Sequence, residues 1–460
     1  MNTSYSIADI SEQTGLSLDT IRYYEKIGIL PPIRRRANGQ RAYTESDLKR
    51  FTFITQLKRT QMPLKEIEQY ISYSNEQNYE ACYQVLDEHK QRMEQIITEM
   101  TDSFHTLNYK LDNFQRLINL QRQEPIDDMV NTKEYIPTPQ RALPSGFGKK
   151  TTATEALEGR DLTGLTAIVT GGYSGIGLET TRALAEAGAA VVIPARTPDK
   201  ARAALAGIAG VELETMDLSD PASIDTFAER FITSGRRLDI LVNSAGIMAT
   251  PLERDARGYE SQFATNHLGH FQLTARLWPT LKAAGNARVV SVSSRAIRYG
   301  GVDLEDPNFQ AKEYDKWKAY GQSKTANALF AVELDRLGWR HGVRAFSVHP
   351  GIIVTELSRH LSDDEMRAMG ALDEQGQRTA FDQSREFKTA EQGAATSVWC
   401  ATSKQLNSLG GVYCEDADIA QAVPADAPYG QGVLPWAMDP ETAERLWQLS
   451  EELTGVTFKI

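Results

Sequence analysis

Cysteine is scarce in this 460-residue chain, and the three present, Cys82, Cys400 and Cys414, lie far apart without metal-ligand spacing. That excludes a disulfide framework, speaks against a zinc site (no metal is expected) and fits a reducing compartment. Long apolar runs are missing too: nothing approaches the ~20 consecutive apolar residues of a membrane span. Met1 to Ile10 has no basic segment leading into an apolar one, so no secretory signal is expected and the cytoplasm is the expected location. Internal repeats and low-complexity tracts are absent. Positive charge is also lacking overall, with a formal net charge of -11. Such a balance argues against a nucleic-acid partner only if charge is spread evenly. It is not. Arg22, Lys26, Arg34, Arg35, Arg36, Arg41, Lys49, Arg50, Lys58, Arg59 and Lys65 face only Glu25, Glu45 and Asp47 in the same stretch.

What is present is ordinary globular composition, 41% hydrophobic and 24% charged, in a chain too long for one core. Pro125, Pro137, Pro139, Pro144, Gly146 and Gly148 punctuate a stretch with little hydrophobic periodicity. The expected division is residues 1–75, a small basic domain; 76–120, a coiled-coil helix; 121–145, a linker; and 146–460, an α/β domain. Before the linker the sequence reads as helices. After it, apolar β-branched runs (Ala167 to Thr170, Ala190 to Ile193, Val211 to Met216, Ile240 to Asn243, Val289 to Val292, Val343 to Val348) alternate with helical patterns. Alternation of that kind predicts a doubly wound Rossmann domain with a parallel sheet.

Near the start, Ser6 and Asp9 form a capping-box pattern, Thr14 to Ser17 makes a turn, and Leu18 to Ile27 is a second helix closed by Gly28, giving helix-turn-helix dimensions. Arg34 to Arg41 reads as a hairpin with Asn38-Gly39 in a two-residue turn and arginines on both strands. Thr44 to Asp47 caps the next helix, and Pro63 suits the first turn of another. Thr20-Ile-Arg-Tyr-Tyr-Glu25, then Gly-Ile-Leu-Pro-Pro and the arginine-rich wing, resembles the MerR family of winged-helix transcription regulators over Tyr5 to Ile71. The resemblance implies that Thr20, Arg22 and Tyr23 on the recognition helix, and Arg35, Arg36 and Arg41 on the wing, contact double-stranded DNA. From Cys82, the residues Leu86, His89, Met93, Ile96, Met100, Phe104, Leu107, Leu111, Phe114 and Ile118 recur at spacings of three and four, a coiled-coil seam. It matches the dimerisation helix of MerR-like regulators, so a homodimer on a pseudo-palindromic operator is expected. Cys82 on that seam is expected to be packed rather than a sensor.

In the α/β part, Ala167 to Thr170 runs into Gly171-Gly-Tyr-Ser174-Gly175-Ile176-Gly177 and a helix, where backbone amides can approach a pyrophosphate. Asn243-Ser-Ala245-Gly246, Asn266-His-Leu-Gly-His270, Ser293-Ser294, Tyr320-Gly-Gln-Ser-Lys324 and His349-Pro-Gly351 with Thr355 follow in order. In that order and spacing the chain resembles the short-chain dehydrogenases/reductases, most like the retinol-dehydrogenase-like branch, over about Gly146 to Asp416. Ser244 departs mildly from the family's second Asn. Hydride transfer to a carbonyl leaves charge on oxygen and needs a positioned proton donor. Tyr320 is the expected acid/base, with Lys324 one turn away to favour its phenolate. The resemblance implies that Ser294 polarises the substrate oxygen, with Ser293 as the neighbouring alternative, that Asn266 positions a relay water, and that Lys324 also bonds the nicotinamide ribose. It places Asp217 and Leu218 at the adenine, Thr355 at the carboxamide, and the Asn243 to Gly246 turn beside the cofactor. No acidic residue ends the second strand; Arg196 stands where a 2′-phosphate would sit, so NADP is expected over NAD. Glu356 to Lys388 occupies the position of the family's substrate lid, and Trp399, Trp436 and Trp447 are expected in cores or interfaces.

Two functions are therefore expected as competitors. One is an NAD(P)-dependent carbonyl reductase or alcohol dehydrogenase fused to a sequence-specific DNA-binding module. The other is a MerR-type regulator that uses the reductase domain as a cofactor or ligand sensor.

Overall fold

A computed structural model describes residues 5–29, 33–36, 39–93, 96, 135, 137–373, 376–379 and 387–459. The chain splits into two compact units, Met1–Asp128 and Met129–Ile460.

In the first unit α1 (Ile7–Thr14) starts at the Ser6/Asp9 capping box and stops at Gly15, whose φ of 73° only glycine adopts at little cost. Ser17 caps α2 (Leu18–Lys26). Strands β1 (Arg34–Arg35) and β2 (Arg41–Ala42) form the wing. The Arg36 amide donates to the Gln40 carbonyl, so the turn holds three residues rather than the expected two, and Gly39 (φ 82°) closes it. Helices α3 (Glu45–Arg59) and α4 (Leu64–Asn75) complete a core built on Ile10, Ile21, Tyr43, Phe51, Ile54 and Ile67. A further helix, α5, runs over residues 79–93. Its apolar side begins by packing on its own unit: the Cys82 thiol reaches the Tyr70 carbonyl at 3.7 Å, and His89 Nε2 shares a 2.7 Å hydrogen bond with Thr60 Oγ1. From Met100 to Ile118 the expected seam lies outside the described residues.

The second unit is built on an eight-stranded sheet in the order β10-β9-β8-β7-β6-β3-β4-β5. Its strands are β3 (Thr166–Val169), β4 (Ala190–Ala195), β5 (Val211–Thr215), β6 (Ile240–Asn243), β7 (Ala287–Val292), β8 (Val343–His349), β9 (Val412–Glu415) and β10 (Asp418–Ile419). All pairings are parallel except β10 on β9. Because successive side chains alternate faces, β3 serves two cores. Ala167 and Val169 meet α6 (Gly175–Glu186) on one face, and Ile168 meets α8 (Pro221–Thr233) and α9 (Gly269–Ala284) on the other. Helix α7 (Pro198–Ala204) follows β4, α10 (Lys316–Gly338) packs behind β7 and β8, and α11 (Ala390–Thr402) and α12 (Pro440–Thr454) close the two faces. Trp399 and Trp447 are buried in those faces.

Strand order reverses between β3 and β6, so the loops leaving their C-terminal ends diverge and open a crevice, the usual ligand position in such sheets. At the other end of the sequence stretch expected as a linker, Tyr135 donates to Asp335 at 2.9 Å and Gln140 bridges the Tyr413 and Ala420 carbonyls at 2.7 Å each. No helix among the described residues is long and apolar enough to cross a membrane.

Candidate functional site

A cavity of about 660 Å³ occupies the crevice, lined by the glycine turn at one end and by Ser294, Tyr320 and Lys324 at the other. Backbone rather than side chain shapes its entrance. Gly171 has φ 65°, and a Cβ there would come within 3.0 Å of the Ala245 Cα. A Cβ on Gly177 would lie 2.4 Å from the Gly171 carbonyl oxygen, so only glycine lets the start of α6 close onto the turn. Ser174, Gly175 and Ile176 line the same wall, with Thr355 against Gly175. This is a cradle that side chains would fill, and it fits a dinucleotide pyrophosphate at a helix start. Arg196 is exposed at the rim beside Lys200, a second cation that the sequence reading missed. Asp217 lines the cavity with Leu218, while its Oδ1 accepts from the Ser219 amide and hydroxyl at 2.9 and 2.7 Å.

Ala245 and Gly246 reach the cavity wall; Asn243 does not. It is buried behind the loop, and its amide donates to Thr274 Oγ1 at 3.3 Å. The loop is held instead by Thr170, whose hydroxyl accepts from the Ser244 and Ala245 amides at 2.9 and 3.0 Å. Thr170 ends the first strand run, a position that a polar residue closing an apolar stretch could have flagged.

Tyr320 and Lys324 lie one turn apart on α10, both buried. Burial raises the Tyr320 phenol to about 12, with the Ser294 hydroxyl beside it pulling the other way. Burial lowers the Lys324 ammonium to about 8, and its Nζ donates to the Val292 carbonyl at 2.9 Å. The two serines are distinguished by their partners. Ser293 Oγ donates to the Lys324 carbonyl at 2.6 Å, whereas Ser294 stands next to Tyr320.

Asn266 sits in a wide helical turn over Ala264–Leu268, of the kind that breaks the regular ladder. Its side chain is fully used: Nδ2 donates to the Ile247 carbonyl (3.0 Å) and Ser323 Oγ (2.9 Å), and Oδ1 accepts from the Ile247 amide (2.9 Å). It therefore braces the loop after β6 against α10. Beyond Tyr320 the cavity turns apolar, lined by Met248, Trp317, Met366, Met369 and Phe387, none of which sequence motifs single out. His349 is also at the wall, its Nδ1 accepting from the Arg295 amide at 3.1 Å.

Residues 165–366 match the family model described as short chain dehydrogenase, and residues 5–74 match that described as MerR HTH family regulatory protein. The chain belongs to the short-chain dehydrogenase family. It is 48% identical to a probable oxidoreductase of Streptomyces lividans over 295 residues, 63% of this chain and 97% of that protein. Identity to human Retinol dehydrogenase 12 is 38% over 304 residues, 65% of this chain and 89% of that protein. A crystal structure of an uncharacterized protein from Mycobacterium paratuberculosis superposes with a TM-score of 0.51 at 34% identity, covering 66% of this chain and 98% of that one. The protein thus carries an oxidoreductase domain behind a MerR-type helix-turn-helix.

On the helix-turn-helix unit, Arg22 and Tyr23 of α2 and Arg35 and Arg36 of the wing are exposed, and Thr20 is half-buried with its hydroxyl bonded to Ser17 at 2.8 Å. Arg35 reaches back to the Gly39 carbonyl at 3.2 Å. Arg41 is half-buried. Its Nε donates to Glu25 Oε2 at 2.7 Å, and the Tyr43 hydroxyl donates to the other Glu25 oxygen, so Arg41 joins the wing to the end of α2.

Proposed function

We propose that the α/β unit is an NADP-dependent oxidoreductase that interconverts a carbonyl and an alcohol on a largely apolar substrate. The observation that carries this reading is the meeting of Ser294, Tyr320 and Lys324 at the end of a cavity that begins in the glycine cradle. When bound, the cofactor's nicotinamide supplies or accepts the hydride. Tyr320, protonated at neutrality, donates to the carbonyl oxygen as charge develops there, and takes the proton back in the reverse direction. Ser294 holds and polarises that oxygen. The Lys324 cation favours the phenolate and hydrogen-bonds the ribose, while Asn266 keeps α10 in register with the loop after β6. Gly171, Ser174, Gly175, Ile176 and Gly177 hold the pyrophosphate; Asp217 and Leu218 face the adenine; Ala245, Gly246 and Thr355 border the nicotinamide end. Arg196, with Lys200, meets a 2′-phosphate, which supports NADP over NAD. The methionine and aromatic lining suits an apolar substrate, in keeping with the name of the retinol relative.

The first unit binds double-stranded DNA through Arg22, Tyr23, Arg35 and Arg36, and pairs through residues 76–120 to read a pseudo-palindromic operator. The test of catalysis is NADPH oxidation with aldehydes and ketones, expected in the wild type and reduced at least a hundredfold in Tyr320→Phe. Tight NADPH binding with no turnover of any carbonyl would overturn it in favour of a sensor. The exposure of Arg22 and Tyr23 on α2 supports that second reading as well. It predicts that operator affinity at fixed salt differs between NADPH, NADP and neither.

A further inference from the structure

We propose that His270, held as its Nδ1–H tautomer, is a positioning residue that ties the Asn266 turn to the cofactor-facing loop through Thr170; this rests on the oxidoreductase reading above. His270 is buried on α9, where neither acid–base chemistry nor substrate reaches it.

Hydrogen-bond capacity fixes its state. Nδ1 lies 2.9 Å from the Asn266 carbonyl, which only accepts, so Nδ1 carries a proton. Nε2 lies 2.9 Å from Thr170 Oγ1. That hydroxyl already accepts from the Ser244 and Ala245 amides, which fill its two lone pairs. Its own proton is left to donate, to His270 Nε2 at 2.9 Å rather than to the Val242 carbonyl at 3.4 Å. Nε2 therefore accepts and the ring is neutral. An imidazolium would ask Thr170 Oγ1 to accept a third hydrogen bond. Burial works in the same direction, taking the ring down to about 4; the Asn266 carbonyl opposes it and the nearby Lys324 cation adds to it.

The resulting chain is continuous. The Ser244 and Ala245 amides bond Thr170, Thr170 bonds His270, His270 bonds the Asn266 carbonyl, and the Asn266 side chain bonds Ser323 between Tyr320 and Lys324. The Asn266 carbonyl lies in the wide turn over Ala264–Leu268, and with two lone pairs it can take a side-chain donor beside any backbone one. His270 thereby sets the spacing between the loop at the cofactor end and the helix that carries the proton donor.

The tautomer is read on cofactor-free, full-length protein labelled with 15N-histidine, the chain having seven histidines. The signal lost in His270→Asn is expected to show a protonated Nδ1 and bare Nε2 from pH 6 to 8. An Nε2–H tautomer or an imidazolium in that range overturns the proposal. Function is read by splitting the two bonds. His270→Asn keeps an amide donor near the Asn266 carbonyl and loses Thr170, so NADPH Kd rises about tenfold with kcat little changed. His270→Gln keeps the Thr170 link and loses the carbonyl, so kcat falls about tenfold with Kd little changed. Thr170→Val is expected to copy His270→Asn, which keeps the test open if either histidine variant folds poorly. Equal losses of Kd and kcat in both histidine variants, or no loss in either, overturn it. A wild type that binds no nicotinamide cofactor sinks the oxidoreductase reading instead, while the tautomer still decides the wiring.

Discussion

Replacing Lys324 with methionine is expected to stabilise the α/β unit at neutral pH while abolishing turnover. The ammonium is buried, and burial alone moves it from 10.5 to about 8. A shift of that size sets about 3 kcal/mol against the charged form. Between pH 8 and 10.5 the unfolded chain holds a proton here that the folded chain has released, so stability rises with pH across that window, and below pH 8 the full penalty applies. Methionine keeps the length and removes the charge. It forgoes the hydrogen bond to the Val292 carbonyl, worth about 1 kcal/mol, but that oxygen keeps the Asn327 amide at 3.0 Å. The expected net gain is about 2 kcal/mol at pH 7, closing by about pH 10. All six tryptophans (Trp278, Trp317, Trp339, Trp399, Trp436, Trp447) lie in this unit, so urea unfolding followed by tryptophan fluorescence reports it without the DNA-binding unit. A variant no more stable than wild type at pH 7, or a gap that persists unchanged at pH 10, would refute the reasoning.

Arg196→Ala is expected to weaken NADPH binding by roughly ten- to a hundredfold, the worth of a charge-assisted phosphate contact, and to leave NADH binding unchanged; equal losses for both cofactors would remove Arg196 from the 2′-phosphate site. Gly177→Ala must push the Gly171 carbonyl away from a 2.4 Å clash, costing about 1–3 kcal/mol of stability and at least tenfold in NADPH affinity. Gly148→Ala, with open space around its Cβ, is the control, and matching behaviour of the two variants contradicts the cradle. Glu25→Ala frees Arg41 from the end of α2, so the ratio of operator to non-specific DNA affinity is expected to fall about tenfold while non-specific binding holds or rises. An unchanged ratio in a binding titration at fixed salt would mean that the Glu25–Arg41 pair does not set the wing.

The features legible in the sequence are those written in short-range pattern. The Ser6/Asp9 and Thr44/Asp47 capping boxes were visible because both partners fall within one turn, and each is present. Of the apolar runs between Ala167 and Val348, those that became β3, β6 and β7 are buried throughout and carry no polar alternation to confuse, whereas the edge strand β5 alternates Val211-Glu-Leu-Glu-Thr215. Tyr320 and Lys324 share one helix, so their spacing fixes their neighbourhood. Strands β9 and β10 were missed, being short and set among turns. The early seam positions Cys82, Leu86 and His89 also pack on their own unit: a stripe at spacings of three and four shows which side of a helix is apolar, not which surfaces it meets.

Polar residues are less legible for a different reason. The role of such a residue is decided by which partners claim its hydrogen-bonding capacity, and those partners are distant in sequence. Asn243 looked like a cofactor contact because it opens the loop after β6, yet Thr274, 31 residues away, takes its amide, and Thr170, 74 and 75 residues away, takes the loop's backbone. Arg41 stands on a basic wing, and Glu25, 16 residues back, takes its Nε. Between Ser293 and Ser294 only the resemblance chooses from sequence, and the Lys324 carbonyl supplies the physical ground by claiming the first. Burial makes these assignments firm, since a buried group that loses its partner costs about 1–3 kcal/mol and has no water to turn to. Among the described residues, Arg196 at the rim and Tyr23 on α2 carry no such claim, and Ser294 beside Tyr320 gives up only an acceptor site, to the Ala296 amide at 3.1 Å; there chemistry with an outside molecule is cheapest to build. The functional set is what the fold leaves over once its own polar demands are met.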